Sequence, residues 1–201
     1  HLVENGSADN TFQVAAELSR NLPGIIIPHE MGIPSYGEAL KRGIQSSVGD
    51  AICIFELDLM DKQFISTSLS LIEQNKADFV VASKRHPESI DRRPVKRRVL
   101  TFLFNCWLKM NFSFPGTDTH GLKAIRATVA KSLCELSITG GEVFQTELVL
   151  LAHRLGYRVA EVPITLSEQR ATMVSVLKRL PKVVHIMDEL KTSLGRFPVK
   201  K

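Results

Sequence analysis

The sequence predicts an α/β fold, a mostly parallel sheet flanked by helices, on three observations. Short β-branched runs alternate with longer helical patterns from one end of the chain to the other, which is how strands joined by crossover helices read. Some of those runs, Ile25-Ile26-Ile27 and Ala51 to Phe55 among them, are apolar stretches suited to burial. With 201 residues, 44% of them hydrophobic and 23% charged, the chain is long enough for one core. Repeats, low-complexity tracts and linkers are lacking, so residues 1–201 read as a single domain.

The elements follow in order. Leu2-Val3 reads as the tail of a strand, and Asn5-Gly6-Ser7-Ala8-Asp9-Asn10 as a turn cluster leading into a helix from about Thr11 to Arg20. A short buried strand is expected at Ile25 to Ile27. The loop from Met31 to Gly37, with its Gly and Pro, precedes a helix from about Glu38 to Ser47. Ala51 to Phe55 is a buried strand that runs into Glu56-Leu57-Asp58, followed by a helix from about Phe64 to Asn75. Phe79 to Ala82 is the next strand. A basic loop from Lys84 to Arg98 and an apolar helix from Val99 to about Met110 come after it. Leu122 to Leu136 reads as a strand or turn passing into a helix. Phe144 to Leu155 is a helix closed by Gly156, Arg158 to Ile164 a strand, and Val174 to about Leu194 a last helix interrupted at Pro181.

Composition narrows the function classes. Cys53, Cys106 and Cys134 lie far apart with no CxxC pair, which argues against zinc and structural disulfides and for a reducing, cytoplasmic setting. The 26 Lys and Arg against 21 Asp and Glu give a charge of +5, suited to an anionic partner: nucleic acid, acidic lipid or nucleotide. The chain opens on His1 rather than Met and reads as a piece of a longer gene product. Its longest apolar segment, Val99 to Leu108, contains Asn105 and stops at Lys109, short of the roughly 20 residues that span a bilayer. GxxxxGK[ST], GxSxG and HExxH are all lacking, which disfavours P-loop, covalent-hydrolase and zincin chemistry.

Four constellations carry chemistry. Glu56 and Asp58 follow a buried strand at i and i+2, so both project to one side of the strand end, where ligands of parallel sheets bind. Together they suit a hard cation such as Mg2+ or Mn2+ that holds a diphosphate, or else they form a solvated strand end. Glu4-Asn5-Gly6-Ser7-Ala8-Asp9 suits recognition of a base or ribose, or makes an ordinary turn and helix cap. Gly37 to Gly43 opens a helix with Lys41-Arg42, a cation pair within reach of a nucleotide phosphate. Lys84-Arg85-His86, Arg92-Arg93 and Lys96-Arg97-Arg98 form a basic run, either a phosphate site or a solvated loop. The run lacks stacking aromatics, which disfavours nucleic acid. The apolar helix after it suits a buried core or a protein lying on an anionic membrane.

Taken in order, these segments resemble the family 2 glycosyltransferases of the GT-A type, especially the branch of dolichol-phosphate mannose synthase. Leu2 to Thr11, Gly37 to Gly43, Phe55 to Leu59, Ala77 to Pro87, Asp118-Thr119-His120-Gly121-Leu122-Lys123-Ala124 and Phe144-Gln145-Thr146-Glu147-Leu148 through Ile164 carry the resemblance, colinear over nearly the whole chain. It implies a GT-A, Rossmann-like fold, here without its first strand and helix, and a nucleotide-sugar donor. Glu4, Asn5, Gly6, Ser7 and Lys41 are then donor-binding residues. Glu56 and Asp58 take the D-x-D metal position for Mg2+ or Mn2+, and Arg170 closes over the diphosphate. Lys84, Arg97 and Thr101 hold the phosphate of a polyprenyl or dolichyl phosphate acceptor at the cytoplasmic face of a membrane. Two positions depart from the family pattern: Glu56 stands where relatives have Asp, and Gln145 where they usually have Asp.

The implied reaction is a hexosyl transfer by one inverting displacement at the anomeric carbon, with Asp58 and Arg170 opposing charge on the leaving diphosphate. A phosphate acceptor needs no strong base. A sugar hydroxyl needs one, and Asp118 and His120 are the candidates. Two other classes are weighed beside it: a GT-A protein without catalysis, and a basic nucleic-acid module.

Overall fold

The computed structural model describes residues 1–57, 59–166 and 180–197. The described elements are β1 (Leu2–Val3), α1 (Thr11–Asn21), β2 (Pro28–His29), α2 (Tyr36–Ser46), β3 (Ala51–Ile54), α3 (Lys62–Glu73), β4 (Phe79–Ser83), β5 (Ile90–Asp91) and α4 (Val95–Phe112), followed by β6 (Lys123–Arg126), α5 (Ala127–Leu136), α6 (Phe144–Leu155), β7 (Val159–Pro163), β8 (Thr165–Leu166) and α7 (Leu180–Gly195). The main sheet has the order β3-β6-β4-β7. β4 and β7 are parallel, and β6 runs antiparallel to both β3 and β4, so β3, β4 and β7 share one direction. Two short parallel pairs, β1 with β2 and β5 with β8, stand apart from it among the described residues.

The alternation of side chains along a strand assigns each face of the sheet its own core. Phe79, Val81 and Ile125 face a cluster with Ile44 of α2, Leu133 of α5, Phe144, Leu148 and Leu151 of α6, and Leu190 and Leu194 of α7. Val80, Ala82, Ala124 and Val162 face Phe64 and Ile72 of α3. All of β4 is therefore buried, which explains its continuous apolar run. α3 begins at Lys62 because Asp61 caps it, accepting from Gln63 N at 2.8 Å and Phe64 N at 3.0 Å. Gly156, at φ +81°, ends α6 in the left-handed conformation that a glycine adopts freely.

Three expectations are corrected. Ile25 to Ile27 is not a buried strand: Ile25 is 74% exposed, and the N–H groups of Ile25 and Ile26 donate back to Leu22 O in a turn, so of this run only the Ile27 carbonyl, accepting from Leu2 N at 3.0 Å, reaches β1, and the strand itself is Pro28–His29. The basic stretch is not one open loop. β5 pairs with β8, Ser89 Oγ donates to Ser83 O at 2.6 Å, and α4 has already begun at Val95. Nor is α4 a buried core helix: only Asn105 and Leu108 are buried, while Val99, Phe102, Leu103 and Met110 are exposed. The expected helix from Val174 lies outside the described residues up to Leu180.

Candidate active site

Because β6 is reversed, its first residue, Lys123, lies beside the last residue of β3, Ile54, and the middle of β4, Val81, and the chain before it runs along the end of β4. Three chain segments meet on this rim: Phe55-Glu56 after β3, Lys84 after β4 and Thr117 to Leu122 before β6. The approach before β6 is close. A Cβ on Gly121 would stand 1.7 Å from Ala82 O, so only glycine admits the crossing.

The Thr117–His120 turn is fixed by carboxylates. Glu161 Oε1 accepts from Thr117 N at 2.5 Å, and Thr117 Oγ1 lies 2.6 Å from Ser83 Oγ. Asp118, 2% exposed, accepts from Lys84 N at 3.0 Å and His120 N at 2.9 Å, with Lys84 Nζ 3.2 Å away. Burial pushes the Asp118 carboxyl up, but the Lys84 ammonium and the two backbone donors outweigh it and hold the group below its ordinary value. Asp118 is thus a stable carboxylate that orients Lys84, already occupied as a proton acceptor. Although His120 keeps an exposed edge, desolvation of its ring lowers its pKa to about 4, with Lys84 and Lys123 acting in the same direction.

A chain of side chains that sequence reasoning did not connect runs from the interior to Glu56. Lys123 is fully buried and donates through Nζ to Gly121 O at 2.9 Å and to Gln145 Oε1. With its oxygen so occupied, Gln145 presents its amide N–H to Tyr36 OH, and the tyrosine hydroxyl donates to Glu56 Oε1 at 3.2 Å. Burial raises the Tyr36 pKa, the Glu56 charge adding to it, so the hydroxyl stays protonated. Burial, with the Lys84 charge acting in the same direction and Asp118 and Glu56 opposing, lowers the Lys123 pKa to about 7. Between about 7 and the ordinary 10.5 the unfolded chain holds a proton that the folded chain has released, so this lysine makes stability rise with pH across that window. Lys123→Met is expected to remove that rise, which thermal unfolding of both proteins over the window checks.

Among the described residues, three cavities open on or beside the rim. One of about 450 Å³ lies between β1, α2 and β3, with Asn5, Tyr36 and Glu56 above a floor of Val3, Ile44 and Ile52. One of about 240 Å³ is basic, lined by Lys84, Arg85, Arg93, Arg98 and Thr101. The third, about 330 Å³, shares Lys84, Arg93 and Thr101 with it and has a wall of Leu100, Phe104, Val143 and Ile186. Asn105 lines that cavity at 4% exposure, with neither amide atom hydrogen-bonded.

The positions named from sequence distribute unevenly. Glu56, Lys84, Thr101 and Asp118 come together around the rim and its cavities. Arg98 and Arg93, rather than Arg97, line the basic cavity. Glu4 is buried and accepts from Ser7 N, closing its own turn. Asn5 accepts from Ser35 N at 2.7 Å, which ties that turn to the start of α2. Gly6 has φ +69°, and a Cβ there would meet Pro34 N at 2.7 Å. Lys41 lies apart from the 450 Å³ cavity, paired with Glu38 at 2.8 Å and set over the Phe144 ring. Asp58 and Arg170 lie outside the described residues. Tyr36 and Lys123 were missed: a strand lysine reads as exposed until the sheet order buries it.

No protein-family model matches the chain. Over 179 residues, 88% of the chain, it is 25% identical to glycosyltransferase AglD of Haloferax volcanii, and it spans 29% of that relative's length. Its structure is similar to glucosyl-3-phosphoglycerate synthase of Mycobacterium tuberculosis in complex with UDP, with a TM-score of 0.65 and 19% identity, covering 96% of this chain and 67% of that one. The complex of the same enzyme with Mn2+, UDP and glucosyl-3-phosphoglycerate gives a TM-score of 0.61 at 19% identity, covering 98% of this chain and 68% of that one. The shared architecture is the α/β fold of the GT-A glycosyltransferases.

Proposed function

We propose that this chain is the glycosyl-transferring part of its protein, moving a sugar from a nucleotide-diphospho-sugar to a phosphate-bearing acceptor by a single inverting displacement. The observation that carries the reading is the convergence of Glu56, Lys84 and Asp118 on one rim between a cavity for the donor and a basic cavity for an acceptor. The likeness to glycosyltransferase AglD and to a UDP-binding, Mn2+-binding synthase supports it.

Glu56 suits a hard cation, since it is an exposed carboxylate with one side-chain hydrogen bond, leaving its other lone pairs open. With Asp58 it would hold Mg2+ or Mn2+, which supplies charge stabilisation for the departing nucleoside diphosphate. Tyr36 and Gln145 orient Glu56 from behind. Asn5, Gly6 and Ser7 stand toward the nucleoside, and Arg170 assists at the diphosphate. Glu4 shapes their turn.

Lys84 meets the acceptor phosphate together with Thr101 and the guanidinium groups of the α4 start, among which Arg93 and Arg98 line the cavity and Arg97 lies between them in sequence. Asp118 keeps Lys84 turned toward the site. A phosphate with a second pKa of about 6 is already largely ionised at neutral pH, so the attacking oxygen needs no base. This agrees with Asp118 being tied up by Lys84. Phosphate on a polyprenyl chain and phosphate on a small polar molecule share this recognition. The apolar wall of Leu100, Phe104, Val143 and Ile186 favours the lipid, as in the dolichol-phosphate mannose synthase branch at a cytoplasmic membrane face.

Ligands that bind only the native state raise its melting temperature by mass action. UDP or GDP with Mn2+ is expected to raise it, and Glu56→Ala to abolish the metal-dependent part. A shift with neither nucleotide overturns the donor assignment. Asn105→Leu is expected to stabilise the free chain by roughly 1–3 kcal/mol, because it removes a buried amide that has no partner, while weakening acceptor binding. Denaturant unfolding and acceptor titration measure the two effects.

A further inference from the structure

Of the residues of α4, Asn105 and Leu108 alone are buried. Leucine suits such a place. An amide does not, since burying it costs free energy unless it is hydrogen-bonded. Among the described residues neither Oδ1 nor Nδ2 of Asn105 has a hydrogen-bond partner, and the side chain lines the cavity of about 330 Å³. A buried, unsatisfied amide in a cavity wall is a binding group whose partner is a ligand.

The two atoms define what that ligand must bring. Nδ2 donates and needs an acceptor oxygen, whereas Oδ1 accepts and needs an O–H or N–H. Thr101 and Asn105, four residues apart, share one face of α4 and are separated by about 6 Å along its axis. Thr101 also lines the basic cavity, with Lys84 and Arg93, while Asn105 lines only the larger one. A phosphate seated on Lys84 and Thr101 therefore brings an oxygen within about one helical turn of Nδ2. It brings nothing for Oδ1, because an ionised phosphate on a hydrocarbon chain has no proton to donate. The rest of the lining suits a hydroxylated ring. His120 and Thr146 add neutral hydrogen-bonding groups, both meeting Thr119 Oγ1, at 3.0 Å and 3.1 Å, and Phe104 adds an aromatic wall beside the His120 ring. With its pKa lowered to about 4 by burial, that ring is uncharged at neutral pH.

We propose that Asn105 determines sugar specificity, its Oδ1 accepting from one hydroxyl of the transferred hexose while Nδ2 donates to the acceptor phosphate. The inference rests on the proposed transfer from a nucleotide-diphospho-sugar to a phosphate. On that reading the nucleoside lies toward Asn5, Gly6 and Ser7, so the hexose is the remaining source of a hydroxyl. Held between a diphosphate near Glu56 and a phosphate on Lys84, it faces the 330 Å³ cavity across Asp118 and His120. One amide then touches both partners of the bond being formed. A hexose that lacks this hydroxyl, or carries it on the other face of the ring, leaves Oδ1 buried and unpaired, which is how a polar site rejects close analogues.

Hexose 1-phosphates test this, since they join sugar to phosphate and need neither nucleotide nor metal. The 201-residue chain is titrated calorimetrically with methyl phosphate and with both anomers of the 1-phosphates of glucose, mannose, galactose and N-acetylglucosamine. The monodeoxy forms of the tightest of these follow. Expected is a hexose 1-phosphate that binds more than about tenfold tighter than methyl phosphate, with one deoxy form losing about tenfold. In Asn105→Leu that deoxy form and its parent are expected to bind equally, while methyl phosphate is weakened much less. Denaturant unfolding of the variant, at least as stable as the native chain, separates this loss from misfolding. A deoxy penalty of the same size in both proteins, or none in the native chain, overturns the role of Asn105 and leaves the phosphate acceptor standing. Failure of methyl phosphate and of every hexose 1-phosphate to bind overturns the phosphate acceptor and this inference together. The UDP and GDP result is independent of either outcome.

Discussion

Glu147→Ala is expected to cost about 4 kcal/mol and lower the melting temperature by about 10 °C. Glu147 is completely buried, and its carboxylate gathers the chain around it: Ile138 N at 3.0 Å, Thr139 N at 3.1 Å, Thr139 Oγ1 at 2.5 Å, and the hydroxyls of Ser137 and Ser193. Those donors tie the segment after α5 and the last turns of α7 to α6. Alanine leaves all of them unpaired in a place water does not reach, and that sets the size of the loss. Burial pushes the Glu147 pKa up, but the donors outweigh it and hold it below the ordinary value. The stabilisation is therefore full above the ordinary carboxylate range and is lost as the pH falls through the lowered folded value. Thermal unfolding across that range measures both effects. Glu147→Gln, which keeps an acceptor oxygen, is expected to cost less than alanine.

Gly121→Ala is expected to be comparably severe, about 4 kcal/mol, for a steric reason. The added Cβ would lie 1.7 Å from Ala82 O and 2.8 Å from its carbonyl carbon, both backbone atoms of a strand buried on its two faces. Neither can swing away as a side-chain tip can. The strands must part where Ala82 N donates to Leu122 O at 2.9 Å, and with them the Asp118–Lys84 contact one turn away. Denaturant unfolding should show a lowered midpoint, and the variant should lose whatever ligand binding the native chain shows. Gly141→Ala is the matched control, since a Cβ there meets nothing within 4 Å.

Local chemistry was the legible part of this protein. Gly156 as a stop and the apolar run of β4 are each decided within a few residues, so the sequence alone locates β4 and the end of α6, whereas α3 was expected from about Phe64 and begins at Lys62 because Asp61 caps it. Glu56 was legible for the same reason, as an acid directly after a buried strand. Ile25 to Ile27 misled because a β-branched run signals only a preference, and here Leu22 O captured the N–H groups that a ladder needed. Arg97 and Arg98 differ by one step at the start of a helix whose first residue sequence placed four positions late, and one step turns a side chain by about 100°. Lys123, Gln145 and Tyr36 come from three separate elements, so their connection exists only once β6 has taken its place. α4 deceived in a different way. Its apolar content was read correctly, but composition does not say which side of a helix faces the protein.

The reversed β6 also constrains the order in which the molecule can be assembled. No two neighbouring strands of the main sheet are consecutive in the chain: Ala51 waits for Arg126, Val81 for Lys123, and Phe79 for Val159. Among the described residues, β3 and β4 find their ladder partners only in β6 and β7, so those pairings wait until the segment around residue 126 has left the ribosome. Every sheet contact then closes a long loop, which slows folding and exposes two apolar strands to other chains meanwhile. Since β6 delivers Asp118 and Lys123 as it docks, the rim cannot exist in any earlier intermediate, and ligand affinity should appear in the same step as the sheet.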